Sequence, residues 1–131
     1  MGGIRRHVDT RRKILTETAA AQVPGPFTLV TGHFELLRAG QLRELESIRR
    51  RAPARPILAA IVPRPGAIWT AEACARMAAS LRVIDYVVTV DHDDLEGFIE
   101  RFHPAEVVRL EDADLGRLRC LIEDVRRRKI G

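Results

Sequence analysis

From residue 27 onward, short β-branched and apolar runs alternate with amphipathic stretches. This alternation is typical of a parallel sheet covered by helices. Strands are predicted at 27–31 (FTLVT), 56–62 (PILAAIV), 85–90 (DYVVTV) and 105–110 (AEVVRL). The second run is apolar throughout, as expected of a central strand buried on both faces. The pattern predicts an α/β fold, a doubly wound parallel sheet with helices on both faces in three α/β/α layers.

Helices are predicted after each strand from apolar residues that recur on one face. Their predicted core positions are Leu42, Leu45 and Ile48; Met77 and Leu81; Leu95, Phe98, Ile99 and Phe102; and Leu115, Leu118, Ile122 and Val125. Thr70 is predicted to cap the second helix, and the acidic stretch 91–94 is predicted to cap the third. We also expect a short leading helix over 10–21 and a flexible tail at 1–9 of a single domain, 1–131.

Composition indicates an ordinary globular protein, with 46% hydrophobic and 31% charged residues in a chain of 131. No apolar run approaches the ~20 residues of a membrane span, and no signal-peptide pattern is present, so a cytoplasmic location without a membrane partner is expected. The net charge of +4 favours anionic partners, although much of it lies in basic runs at the two ends. Aromatic residues are only 5%, so nucleic-acid binding is not expected. Cys74 and Cys120 lie among apolar neighbours and are interpreted as buried residues.

The stretch 28–49 (TLVTGHFELLRAGQLRELESIR) resembles the pattern of the cytidylyltransferase-type nucleotidyltransferase superfamily, which is a strand, G-x-F-D, and then H-x-G-H opening a helix. The resemblance is to the heptose-1-phosphate adenylyltransferase and glycerol-3-phosphate cytidylyltransferase branch, and it continues through 80–94 and 103–112. The positions that agree are Gly32, Phe34, Leu36, Leu37, Ala39, Gly40, Leu45 and Arg49. Glu35 stands where the pattern has aspartate.

The resemblance implies a Rossmann-like nucleotidyltransferase fold in which two histidines contact nucleotide phosphates at the start of a helix. In this chain those positions are Arg38 and Gln41. A guanidinium can form two hydrogen bonds with a phosphate, whereas an amide carries no charge. The resemblance therefore assigns the phosphates to Arg38 and Gln41. It assigns the shape of the nucleotide site to Gly32, Phe34 and Gly40. His33 is a candidate to line the same pocket. Arg64 and Arg109 lie at strand ends and are candidates for phosphate contacts, the alternative being that they are solvated surface charges.

Two more departures from the superfamily pattern bear on activity. The serine/threonine-rich turn before the last helix falls on Arg117, Leu118 and Arg119, and IVPRPGAIW (61–69) replaces a polar loop. We therefore favour a catalytically degenerate pseudoenzyme that acts as a nucleotide-binding or interaction module, with homodimerisation considered. The alternative is an active enzyme that moves a nucleotidyl group from CTP or ATP, with Mg²⁺, onto a sugar or polyol phosphate.

Two further interpretations concern single side chains. His33, Glu35 and the acidic stretch 91–93 with His92 contain imidazole and carboxylate groups that suit divalent ions, but they lack a ligand spacing such as HxxxH, so no metal site is expected. Trp69 follows a proline-rich loop and is interpreted as a core residue, the alternative being that it stacks on a base.

Overall fold

The structure is a computed structural model that describes residues 10–35 and 39–110. Its elements in chain order are a 3₁₀ turn (Thr10–Lys13), α1 (Glu17–Ala20), β1 (Thr28–Gly32), α2 (Ala39–Arg51), β2 (Ile57–Ile61), α3 (Ala71–Ala79), β3 (Tyr86–Thr89), a second 3₁₀ turn (His92–Asp94), α4 (Leu95–Phe102) and β4 (Glu106–Arg109). The predicted tail at 1–9 and the predicted last helix, with Cys120, lie outside the described residues. The predicted α/β class is confirmed.

The strands form one parallel sheet in the order β3-β2-β1-β4. The chain moves outward from β1 through β2 to β3 and then returns to place β4 on the other side of β1. In sheets with this kind of reversal, ligands bind in the crevice outside the strand ends at the point of reversal.

Alternate residues of the strands face two separate apolar cores. On one face, Val30, Ala59 and Val87 pack with residues of α2 and α3. On the other face, Leu29, Leu58 and Val88 pack with residues of α1 and α4. Because strand side chains point alternately to the two faces, the continuous apolar run of a central strand serves both cores. The predicted helical layers on both faces are therefore present.

The N-terminal segment is not the continuous helix predicted over 10–21. Ile14 bridges Val87 in parallel, and the Leu15 N–H donates to the Val87 carbonyl at 2.7 Å, which covers the outer edge of β3. The Lys13 ammonium donates to the carbonyls of Leu81 and Ile84 at 3.1 and 2.8 Å. Burial lowers the pKa of Lys13, and nearby Asp85 offsets part of this shift. Pairing with the sheet edge thus overrides the helical propensity of this segment.

The predicted second helix is present as α3 and ends at Ala79. Of its predicted core contacts, Leu81 packs against the core from beyond the end of the helix, whereas Met77 belongs to neither described core. The buried residues of α3 are Cys74, Ala75, Ala78 and Ala79, whereas Met77 and Leu81 are only half-buried. Small side chains allow the helix axis to lie close to the sheet, which puts the longer side chains at the margin. The predicted N-cap is confirmed, since the hydroxyl of Thr70 accepts from the N–H of Ala73 at 3.1 Å.

The third predicted helix is also present, with Leu95 and Phe98 buried. Asp94 of the predicted capping stretch 91–94 occupies the N-cap position of α4, but neither Asp91 nor Asp94 makes a side-chain capping hydrogen bond, and a 3₁₀ turn precedes the helix. The helix ends at His103, which adopts a left-handed conformation (φ 46°) of the kind that terminates helices. Among the described helices, none is both long and apolar enough to span a membrane.

Candidate functional site

The carboxyl end of β1 is packed tightly around Gly32. A Cβ atom placed on Gly32 would lie 3.2 Å from the Cβ of Leu110 and 3.2 Å from a ring carbon of Phe34. The glycine therefore lets the end of β1 approach the end of β4 closely. Packing alone accounts for this residue, whatever ligand the turn binds.

Phe34 belongs to the core, although the resemblance assigned it to the nucleotide site. Its side chain is 2% exposed and packs with the core beneath α2 and α3. Its backbone is left-handed (φ 56°), which is uncommon for a residue with a side chain. The flanking residues, His33 and Glu35, instead line a cavity of about 210 Å³ between the loops after β1 and β2.

Three polar side chains meet in this cavity. The Nδ1 atom of His33 lies 2.8 Å from the carbonyl oxygen of Val62. A carbonyl can only accept, so Nδ1 donates, and a neutral ring then has its lone pair on Nε2. Glu35 accepts from the Nε of Arg64 at 3.0 Å through one carboxylate oxygen. Arg64, considered as a phosphate contact from the sequence, is thus paired with a carboxylate in the described structure.

Two buried atoms of this cavity have no hydrogen-bond partner within residues 10–35 and 39–110. They are Nε2 of His33 and Oε1 of Glu35. Native proteins satisfy most buried polar atoms, so each exception calls for a physical explanation. The two atoms come from residues on either side of Phe34, which the left-handed backbone turns into the core.

The cavity is closed on its other sides by the loop 63–69 and the first turns of α3, with Cys74 at its inner wall. Trp69 is 51% exposed, so its interpretation as a core residue is wrong. The proline-rich loop keeps it at the rim, beside the exposed Ile68. Cys74 is buried as predicted. Burial raises the pKa of its thiol, and the charge of Glu35 raises it further, so the thiol is protonated at neutral pH.

The resemblance assigns phosphate binding to Arg38, just before α2 in the sequence, and to Gln41 in its first turn. Arg38 lies outside the described residues. Gln41 is 3% exposed and shares the buried face of α2 with Leu45 and Ile48. Gly40 is exposed, and a Cβ placed on it would meet only a guanidinium nitrogen of Arg43, at 3.9 Å.

Arg43 was not predicted from the sequence as a site residue. Residues three apart lie on the same side of a helix, so the spacing from Gly40 could have indicated it. No acidic residue lies in the first turn of α2, whereas Glu17, Glu72 and Glu96 lie in the first turns of α1, α3 and α4. The described part of this helix start therefore carries a guanidinium and no carboxylate, and Gly40 is exposed.

Arg109 is the last residue of β4 and pairs in register with Thr31 of β1, so it lies at the point of reversal. Its guanidinium is 2.9 Å from the carboxylate of Glu96 on α4. Strand alternation puts it on the face that α4 covers, opposite the face of α2. Arg109 and the start of α2 are thus neighbours along the sheet edge but belong to different faces.

The carboxylates and histidines considered as metal ligands do not meet in one place. His33 and Glu35 line the cavity beside β2, whereas the acidic stretch 91–94 with His92 follows β3 and is exposed. Within the part of the chain that the structure describes, no group of three or more histidine, cysteine, aspartate or glutamate residues could hold a metal ion.

Comparison of the chain with models of known protein families gives no match, and comparison with curated proteins gives none either. The fold and the site accordingly define the class of protein: an α/β domain with a parallel sheet whose carboxyl edge carries a polar cavity and the start of a cationic helix.

Proposed function

We propose that the chain is a nucleotide-binding domain of the nucleotidyltransferase-like type that has lost turnover. It binds the phosphates of a nucleotide at the turn between β1 and α2. The observation that carries this proposal is the reversal of strand order at β1, which puts that turn beside the crevice where parallel sheets of this kind bind ligands.

The charge distribution at the start of α2 supports an anionic ligand. A helix N-terminus attracts phosphate through free N–H groups and the helix dipole. Here the first turn carries no carboxylate, Gly40 is exposed, and the guanidinium of Arg43 lies over the turn. Arg38 adds a second guanidinium immediately before the helix in the sequence. A phosphate group at this end of the helix would meet donors and positive charge without a competing acid from the same turn.

The position of Gln41 supports the loss of turnover. Catalysis of phosphoryl or nucleotidyl transfer depends on donors aimed at the charge that develops in the transition state. Gln41 is neutral and lies on the buried face of α2, so it is a poor source of such stabilisation. Removing one preorganised donor costs about 2.7–4 kcal/mol of barrier in other enzymes. We therefore infer binding without measurable transfer.

Isothermal titration calorimetry with ATP and CTP, with and without Mg²⁺, tests the binding. We expect saturable binding that weakens in Arg38→Ala and Arg43→Ala. Arg50→Ala is the matched control, since it removes the same charge from an exposed site in the last turn of the same helix. Equal losses in all three variants would reduce the effect to net charge and contradict the proposed location.

A pyrophosphate-release assay with phosphorylated sugars and polyols tests the loss of turnover. We expect release at background level for the wild type. Gln41→His is expected to stay at background as well, because position 41 faces the core. Release above background in the wild type would establish the active transferase and refute the pseudoenzyme.

A further inference from the structure

The cavity between the loops after β1 and β2 is lined by His33 and Glu35 of the turn that leads to α2, and its chemistry points to a different kind of ligand group from the phosphate proposed at the start of that helix. His33 Nε2 and Glu35 Oε1 are both buried in it without a partner in the described ranges. One residue separates them, and the left-handed Phe34 directs its own ring into the core.

Both unpartnered atoms accept hydrogen bonds. His33 donates through Nδ1 to the carbonyl of Val62, which leaves the lone pair of a neutral ring on Nε2. Glu35 is ion-paired with Arg64 through Oε2, so Oε1 is free to accept. A ligand that satisfies both atoms must therefore present two donors. A phosphate group presents acceptors and does not meet this requirement.

The size and charge of the cavity restrict the ligand further. A volume of about 210 Å³ equals that of roughly seven water molecules at ~30 Å³ each. This is below the ~300–1,000 Å³ of pockets that enclose whole drug-sized ligands, so the cavity suits a head group. Arg64 balances the charge of Glu35. At the rim, the half-exposed Trp69 offers an aromatic surface for a planar group or a cation.

We propose that this cavity binds a planar group with two adjacent N–H donors, as found in a guanidinium or in the N1–H and 2-amino edge of guanine. One donor is directed to Nε2 of His33 and the other to Oε1 of Glu35, and the plane of the group lies against Trp69. The inference goes beyond phosphate binding at α2 and does not depend on it.

Proton–nitrogen NMR of the wild-type chain tests the proposal, with the His33 ring nitrogens and the Trp69 indole as reporters. One arm compares methylguanidinium with hexamethylguanidinium, which has the same charge and no N–H donor. The other compares guanosine with inosine, which lacks the 2-amino donor but keeps N1–H. Neither arm contains phosphate, so the result is independent of the phosphate binding proposed at α2. We expect a saturable shift of the His33 Nε2 signal with methylguanidinium or guanosine, none with hexamethylguanidinium, and a weaker shift with inosine.

Variants test the residues that carry the proposal. His33→Phe and Glu35→Leu each remove one of the two acceptors and are each expected to weaken binding by about tenfold, the loss of one hydrogen bond to a charged or buried partner. Glu72→Gln is the control, because Glu72 is exposed on α3 and pairs with Arg76 outside the cavity. Thermal unfolding shows which variants are folded. If only one of the His33 and Glu35 variants is folded, the binding measured for that variant decides the test. Equal responses to ligands with and without N–H donors would overturn the proposal and indicate that only water satisfies the two acceptors.

Discussion

Arg49 and Asp85 join three parts of the fold at the amino edge of the sheet, and we expect their ion pair to make a measurable contribution to stability. The Nη2 atom of Arg49 donates to Asp85 at 2.5 Å and to the carbonyl of Val83 at 2.8 Å. Its Nη1 atom donates to the carbonyl of Arg55 at 3.2 Å. The same carboxylate oxygen of Asp85 accepts from the N–H of Ile57 at 2.9 Å. One ion pair thereby fixes the end of α2, the start of β2 and the entry to β3.

Asp85→Ala removes the carboxylate and leaves the N–H of Ile57 and the guanidinium of Arg49 without it. Hydrogen bonds to charged groups contribute ~1.5–3 kcal/mol each, and exposed ion pairs much less. The side chains of Arg49 and Asp85 are 28% and 38% exposed. We therefore expect Asp85→Ala to lower the free energy of unfolding by about 2–3 kcal/mol, which is less than the sum of the separate bonds. For a domain of this size that corresponds to a melting temperature lower by about 10 °C.

Urea unfolding followed by circular dichroism measures the change in the free energy of unfolding. Asp85→Asn keeps an acceptor for Ile57 but loses the charge, so it should cost about 1 kcal/mol. Arg49→Met combined with Asp85→Ala completes a double-mutant cycle, with an expected coupling of about 1–2 kcal/mol. The reasoning is refuted if Asp85→Ala costs less than ~0.5 kcal/mol, or if the two substitutions are additive.

Two further predictions concern α4 and the buried thiol. Gly97→Ala should raise the free energy of unfolding by ~0.5–1 kcal/mol, because alanine has the higher helix propensity. Among the described residues, the added Cβ would contact the flexible guanidinium end of Arg101, at 3.3 Å. A lower free energy of unfolding in urea would contradict this prediction. In a Cys120→Ser background, Cys74 should react slowly with thiol reagents, because burial and then Glu35 raise its pKa. Glu35→Gln should move the midpoint of the labelling pH profile downward, and an unchanged midpoint would show that the carboxylate does not act on the thiol. The pKa of Cys74 is higher in the folded than in the unfolded protein. The protonated thiol therefore contributes its full stability below the unfolded-state pKa, and this contribution is lost as the pH rises through the folded-state pKa.

The strands could be predicted from the sequence because their signal is local. Three observed strands lie within their predicted runs, and the first, Thr28–Gly32, extends one residue beyond the predicted 27–31. A continuous apolar run by itself indicates a strand that is buried on both faces, so predicting it requires no information about distant residues. The same holds for Thr70, whose capping of α3 depends on residues three positions apart.

The errors arise where distant parts of the chain decide the structure. The leading segment pairs with Val87 at the sheet edge, a contact over more than 70 residues that no local pattern contains. The cavity combines His33 from one loop with Arg64 and Trp69 from another, so its residues could be noticed singly but not assembled. Trp69 was assigned to the core from its hydrophobicity, whereas the loop geometry leaves it at the rim.

Four of the positions where this chain agrees with the superfamily pattern are positions of packing. Gly32 allows β1 to approach β4, Phe34 and Leu45 fill the core, and Arg49 joins α2 to the strands behind it. None of these four needs a ligand to explain it. The two positions that would carry transfer chemistry, Arg38 and Gln41, both differ from the pattern, and Gln41 faces the core. Agreement at the four packing positions is therefore no evidence for a nucleotide site, and any ligand specificity of this chain should be sought in its own residues, foremost His33, Glu35 and Arg43.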